Sequence, residues 1–454
     1  MKMTLQEISV ALKSVGDLNG YERTEVSSVQ TDSRLVRPGD LFICLCGQTM
    51  DGHNFAGQAA ENGAAAIVSH NPMPGFSVPV MLVEDTLKAL GRLGRYWRMK
   101  KGGTVIAITG SAGKTTTKEM LSSVLEKKHS VGKNYKNWNN QIGLPLSILE
   151  FTGEEEFWVL ELGINNPSDM EELGEIVCPD QAVILNVGPC HLQGLGSVQG
   201  VARSKAVLLD HLQGLKKAFV CKDYTLLENE VEQRSDINPV WFSCQANPAQ
   251  YSLSHQGSGH YQMKEDDSSV TFDSMPGGEM YCENIAAVWA VCRHAGMEPD
   301  QIVDALKGFS FPEQRFCVQV YGPWTIIDDT YNANPLAMSR AINAARSLAG
   351  ERDLYLVMGD MAELGNKEAS AHQELGRMIS RAGCKKVFFH GKNAGNVASG
   401  LENGVREDFF EIRNPAHFKT ILNDQDCRKG VILFKGSRSS RMERFVGCFL
   451  EWNS

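Results

Sequence analysis

The chain has 454 residues, 42% hydrophobic and 22% charged, with 45 basic and 54 acidic side chains for a net charge of −9. That length exceeds what one core supports and predicts about three domains of ordinary globular composition, while the acidic balance argues against a nucleic-acid partner. No apolar run is long enough to cross a bilayer, and the start Met1-Lys2-Met3-Thr4-Leu5-Gln6-Glu7 lacks an apolar signal core, so a cytoplasmic location without membrane insertion is expected.

Residues 1–102 alternate short apolar runs with helical patterns: strands at 40–45 and 64–68, a helix near 55–62, and a charged helix at 87–101 before Lys100-Lys101-Gly102-Gly103, which reads as a linker. The 12 cysteines include no C-x-x-C pair; Cys44 and Cys46 lie on alternate positions of an apolar run and read as buried, reduced thiols. Residues 103–310 open with a strand at 104–108, a glycine turn and a helix, followed by strands at 157–160 and 182–187 and a helical run at 198–212. Repeated β-α units of this kind predict a mainly parallel sheet. The polar stretch 225–275 is expected to form short strands or an excursion at a sheet edge. Residues 311–454 hold strands at 325–329, 354–360, 386–389 and 430–434, with a helix at 335–349. Each strand ends in polar residues, and ligands gather at the carboxyl ends of parallel strands. The fold class is α/β with three domains, the central one built around a phosphate-loop sheet.

The segment Thr109-Gly110-Ser111-Ala112-Gly113-Lys114-Thr115-Thr116 is the most informative. A buried strand, a glycine turn and a helix start provide unpaired N–H groups and a positive dipole end for phosphates. Lys114 adds a point charge at the β- and γ-phosphates, and the Thr115 hydroxyl suits Mg²⁺. Ile108 stands where the longer G-x-x-x-x-G-K-[ST] pattern has glycine, so only the shorter form is present. Glu161 ends an apolar strand and offers a carboxylate for Mg²⁺; His191, beyond another strand, is a metal ligand or general base. The ordinary readings are an exposed strand-end Glu and a packed His. Lys205 reads by default as a solvated helix lysine; the specialised alternative is N-carboxylation by CO₂, which makes it a metal-ligating carboxylate. Asn137-Trp138-Asn139-Asn140 is an amide-rich turn suited to a bound substrate or to plain turn chemistry. Asn334 before Pro335 reads as an N-cap, which leaves Asp328, Asp329, Tyr331 and Asn332 unexplained. Lys435-Gly436-Ser437-Arg438 offers cations and a hydroxyl to an anion.

Together these motifs resemble the Mur ligases, ATP-dependent amide-forming enzymes of peptidoglycan synthesis, over nearly the whole chain. The resemblance also rests on Thr31-Asp32-Ser33-Arg34, Arg37-Pro38-Gly39-Asp40-Leu41-Phe42 and Asp51-Gly52-His53, and on Met358-Gly359-Asp360-Met361-Ala362-Glu363-Leu364-Gly365. It implies a UDP-sugar-binding domain at 1–102, a central ATP-binding domain at 103–310 and a Rossmann-like domain at 311–454 for nucleotide and dipeptide contacts. It further implies that D-Ala-D-Ala is joined to UDP-MurNAc-tripeptide through an acyl phosphate, by a monomer.

By the same similarity, Gly110, Ser111, Ala112, Gly113, Lys114, Thr115 and Thr116 would hold ATP with Asn284, Arg315 and Asp329. Thr115 and Glu161 would hold one Mg²⁺, and His191 a second shared with a carboxylated Lys205. Ser33, Arg34, Gly47, Gln48, Asp51, His53, Asn137, Asn139 and Asn140 would face the UDP-linked substrate. Tyr331, Asn332, Asn334, Lys435 and Ser437 would lie near the dipeptide. The chain departs from the family pattern at Gln314 (usually Gly), Met280 (usually His) and Val207 (usually Glu). Folylpolyglutamate-type ligases carry G-K-G-S where this chain has Gly113-Lys114-Thr115-Thr116, and the D-N-P-R string of the ligase adding the third stem residue does not occur.

Overall fold

The computed structural model describes residues 1–453 apart from 19, 48, 246, 258, 267, 274–277 and 426. The first of three larger sheets has four parallel strands in the order Val29–Gln30, Leu41–Ile43, Ala66–Ser69 and Val80–Leu82. The strand expected over 40–45 stops at Ile43, because the chain turns: Gly47 N–H donates to Met50 O and Gly52 N–H to Leu45 O, both at 2.8 Å. A Cβ on Gly52 would sit 2.8 Å from Leu45 backbone atoms, so the crossing requires glycine. The turn corrects one expectation, since Cys44 is buried but Cys46 is exposed.

The helix Thr86–Lys100 is capped by Asp85, which accepts from Lys88 N–H at 2.9 Å. Its inner face leaves its own block: Trp97 Nε1 donates to Phe151 O at 3.0 Å and Arg98 pairs with Asp180 at 2.6 Å. It thereby fastens the first block to the second.

The central sheet has nine strands, and Thr104–Thr109 lies inside it between Gln181–Ile184 and Phe157–Glu161, both parallel to it. Its continuous apolar run is what burial on both sheet faces selects. The described residues of the stretch 225–275 form a helix, Thr225–Glu232, which their polarity concealed, and then four strands that carry the sheet to its far edge. The last two, His260–Glu265 and Ser268–Asp273, run antiparallel to their neighbours.

The C-terminal sheet orders Cys317–Tyr321, Trp324–Asp329, Gly430–Lys435, Leu354–Gly359, Lys386–His390 and Phe409–Glu411, parallel except for the first. Among the described residues no helix is long and apolar enough to cross a membrane.

Candidate active site

The glycine turn leaves its strand at Thr109 and enters the helix Lys114–Leu125 through Gly113, whose φ is 80°. Asn284, on the buried helix Cys282–His294, donates to Gly113 O at 3.0 Å and Thr117 Oγ1 at 2.7 Å. Asn186 accepts from Ala112 N–H at 2.8 Å, and Ser111 Oγ accepts from Gly188 N–H at 2.9 Å. The loop is thus held open by neighbours before any anion arrives. Gly113→Ala is expected to cost about 1–2 kcal/mol from its left-handed φ alone, and its Cβ would lie 2.6 Å from Asn284 Nδ2. A lower melting temperature together with a raised KM for ATP would bear this out; an unchanged KM would refute the loop's role.

Parallel register sets Ile108 opposite Glu161 and so brings that carboxylate beside the loop. Thr115 Oγ1 donates to Glu161 Oε2 and Asn139 Nδ2 to Oε1, each at 2.7 Å. Glu161 is 2% exposed, and among the described residues no lysine or arginine pairs with it. A buried carboxylate and hydroxyl at the foot of a phosphate loop are the oxygen donors a hard divalent cation takes. Lys114 Nζ meanwhile rests on Gly110 O at 2.9 Å.

The C-terminal domain completes the wall. Arg315 donates to Thr115 Oγ1 at 3.1 Å and stacks on Tyr331, its guanidinium carbon 3.8 Å from the ring centre. Its neighbours Gln314 and Phe316 have φ of 60° and 53°, a strained backbone that aims Arg315 inward. The glycine usual at 314 would relieve this: Gln314→Gly is expected to stabilise by about 1 kcal/mol, read as a higher unfolding midpoint. Asn334 caps the helix Pro335–Ala349 through Ala337 N–H at 2.9 Å and also donates to Ser111 O at 2.9 Å. Cap and domain bridge are therefore the same side chain.

Register also pairs Asp329 with Lys435, whose Nζ donates to Asp329 Oδ2 at 2.6 Å and Asn332 O at 3.0 Å. Burial raises the Asp329 carboxyl above its ordinary value, with Lys435 opposing. His191 and Glu363 meet across the domain boundary at 2.5 Å, both with left-handed backbones (φ 50° and 62°). The imidazole holds the Glu363 carboxyl below the usual range. Behind them Glu283 is buried against Arg340 and Tyr224.

These groups enclose a cleft of about 420 Å³. Of the expected residues, 111–116, Asn137, Asn139, Asn140, Glu161, His191, Asn284, Arg315, Asp329, Tyr331, Asn332, Asn334 and Lys435 line it. Gly110 does not line it, its carbonyl accepting from Lys114 Nζ instead. Ser437 is buried, its hydroxyl turned to Ser439 and Ser440 at 3.0 and 3.2 Å. Lys205 is 1% exposed, so the solvated-face reading fails, yet it stands behind the lining. Ser33, Arg34, Gly47, Asp51 and His53 belong to the N-terminal domain and stay outside this cleft; Gln48 lies outside the described residues. Sequence reasoning missed Glu363 and Arg340 as lining groups. Glu363 sat within a quoted motif, but only the fold reveals His191 as its partner.

Family profiles match along the chain: the Mur ligase family, catalytic domain at 25–98, the Mur ligase middle domain at 108–292 and the Mur ligase, glutamate ligase domain at 314–438. The UDP-N-acetylmuramoyl-tripeptide--D-alanyl-D-alanine ligase of Bacillus subtilis (strain 168) is 33% identical over 457 residues, covering 99% of each chain. A crystal structure of MurF from Acinetobacter baumannii superposes with a TM-score of 0.92 at 28% identity, covering 99% of each chain. MurF from Thermotoga maritima in complex with ADP gives 0.84 at 31% identity, covering 94% of this chain and 98% of that one.

Proposed function

We propose a ligase mechanism for this cleft from the premise that the chain belongs to the Mur ligase family, among its MurF members. The enzyme joins D-Ala-D-Ala to UDP-MurNAc-tripeptide at the expense of ATP. The observation that carries the reading is the meeting of Thr115, Glu161 and Arg315, from three separate segments, on one phosphate loop.

The terminal carboxylate of the tripeptide attacks the γ-phosphorus, the bond to the β-phosphate oxygen breaks, and ADP leaves. Lys114 moves from Gly110 O to the β,γ-phosphates, and the loop N–H groups and Arg315 take up developing charge. The dipeptide amine then attacks the acyl phosphate, loses a proton, and phosphate departs as the amide forms. Thr115 and Glu161 would hold one Mg²⁺, and His191 with an N-carboxylated Lys205 a second; these ions would offset charge on the phosphates. The contact from His191 Nδ1 to Glu363 supports this, because ligating imidazoles commonly give their other nitrogen to a carboxylate. Asp329 and Asn284 would contact the nucleotide, and Tyr331, Asn332 and Asn334 the dipeptide; all five line the one cleft, which supports the reading. Residues 1–102 would take the UDP moiety through Ser33, Arg34, Asp51 and His53. Free thiols at all 12 cysteines fit a cytoplasmic enzyme.

The test is phosphate release from ATP with UDP-MurNAc-tripeptide, with and without D-Ala-D-Ala. Release that needs both substrates, with UDP-MurNAc-pentapeptide by mass, is expected. No release with either diaminopimelate- or lysine-containing tripeptide would overturn the substrate assignment.

A further inference from the structure

We propose that the N-terminal domain carries a soft divalent-metal site of the zinc class, formed by Cys46, His53 and His70. Among the described residues, these three are the set of His, Cys and carboxylate side chains whose ligand atoms converge, all within 4.8 Å of one another. Cys46 Sγ lies 3.7 Å from His53 Nδ1. A tetrahedral zinc ion with ordinary Zn–S and Zn–N bonds separates those atoms by about 3.6 Å. The His53 and His70 rings are 4.2 Å apart and inclined by 72°, edge to face rather than stacked. Thiolate and imidazole prefer zinc-class ions over Mg²⁺.

The scaffold is built rather than incidental. Cys46 and His70 follow the carboxyl ends of the adjacent parallel strands Leu41–Ile43 and Ala66–Ser69. The bridge between Cys46 and Asp51, with the bond from Gly52 N–H to Leu45 O, fixes Cys46 relative to His53. Asp51 Oδ1 lies 2.6 Å from His53 Nδ1 and 3.3 Å from Cys46 Sγ. It becomes the fourth ligand when His53 exchanges that hydrogen bond for the metal, and the thiol proton passes to solvent. Cys46 and His70 are exposed, which gives the ion a route in.

The assignment stands on this geometry alone. Its consequence rests on the preceding reading of His53 and Asp51: a bound ion withdraws both from the UDP-linked substrate.

The experiment titrates the full chain with Co²⁺ alone, without nucleotide, and then with Zn²⁺. One Co²⁺ per chain, a thiolate-to-cobalt charge-transfer band and its loss on adding Zn²⁺ are expected. C46A should abolish the band, and H70A should bind at least about 100-fold more weakly. Both variants should keep wild-type ligase turnover in metal-chelated, Mg²⁺-replete buffer. No band in the wild type, or an equal band in C46A, overturns the site. Zn²⁺ should also raise the KM for UDP-MurNAc-tripeptide in the wild type and not in C46A. Intact Co²⁺ binding without that rise removes the link to the substrate and leaves the metal site standing.

Discussion

Lys114→Ala is expected to lower kcat by about 10³-fold, with a smaller rise in the KM for ATP. A cation aimed at charge that develops during phosphoryl transfer counts most in the transition state, and removal of one such group costs about 10²–10³ in rate. The lysine rests on its own loop through Gly110 O, and the loop is held separately by Asn186, Asn284 and Gly188. The variant should therefore melt with the wild type, so lost turnover reports chemistry rather than folding. Lys114→Arg should recover little, because a planar fork does not replace a point charge in a loop this tight. Turnover of Lys114→Ala within tenfold of wild type would sink the mechanism.

Lys205→Ala should reduce turnover by about 10²-fold or more, as expected for loss of a charged transition-state contact, and short carboxylates such as formate should restore part of it. Lys205 is buried, and among the described residues no carboxylate pairs with it. Burial pulls its ammonium down from 10.5 to about 8, with neighbouring Cys190 opposing and Lys114 adding to the fall. At neutral pH the amine is then neutral in about a tenth of molecules, and a neutral amine is what adds to CO₂. In the proposed modification the nitrogen–carbon bond would form, a proton would leave to solvent, and a carbamate near Lys114 would replace one ammonium near another. Activity should fall in CO₂-depleted buffer, and ¹³CO₂ should give one carbamate resonance that Lys205→Ala lacks. Full activity without rescue refutes the carbamate.

The pH dependence has a defined sign. With the folded value near 8 and the unfolded near 10.5, the unmodified chain gains stability as pH rises between them and loses it as pH falls through 8. Lys205→Met should flatten that part of a melting-temperature profile; an unchanged slope would assign it to other groups.

Local pattern made much of the molecule legible. The helix 335–349 was bounded correctly because Asn-Pro opens it, and the strand expected at 104–108 runs one residue further, to Thr109, because β-branched apolar residues continue without a break up to it. Patterning failed where polarity hid an element, as in the helix Thr225–Glu232, and where a turn mimicked a strand, as at Cys46. It failed again at Lys205, since helical spacing alone does not say which face another element covers.

The sequence by itself determined the phosphate loop, the strand ends that carry Glu161, Asp329 and Lys435, the turn beyond a strand that carries His191, and the likeness to the Mur ligases. Those depend on residues close together in the chain, where glycine, β-branching and charge act within one turn or one strand. Only the tertiary structure decided that Arg315 reaches Thr115, that Asn334 bridges to Ser111, that Glu363 holds His191, and that His70 joins Cys46 and His53. Such pairings follow from sheet register and domain packing, whose energy comes from apolar surface spread over the whole core rather than from any short motif.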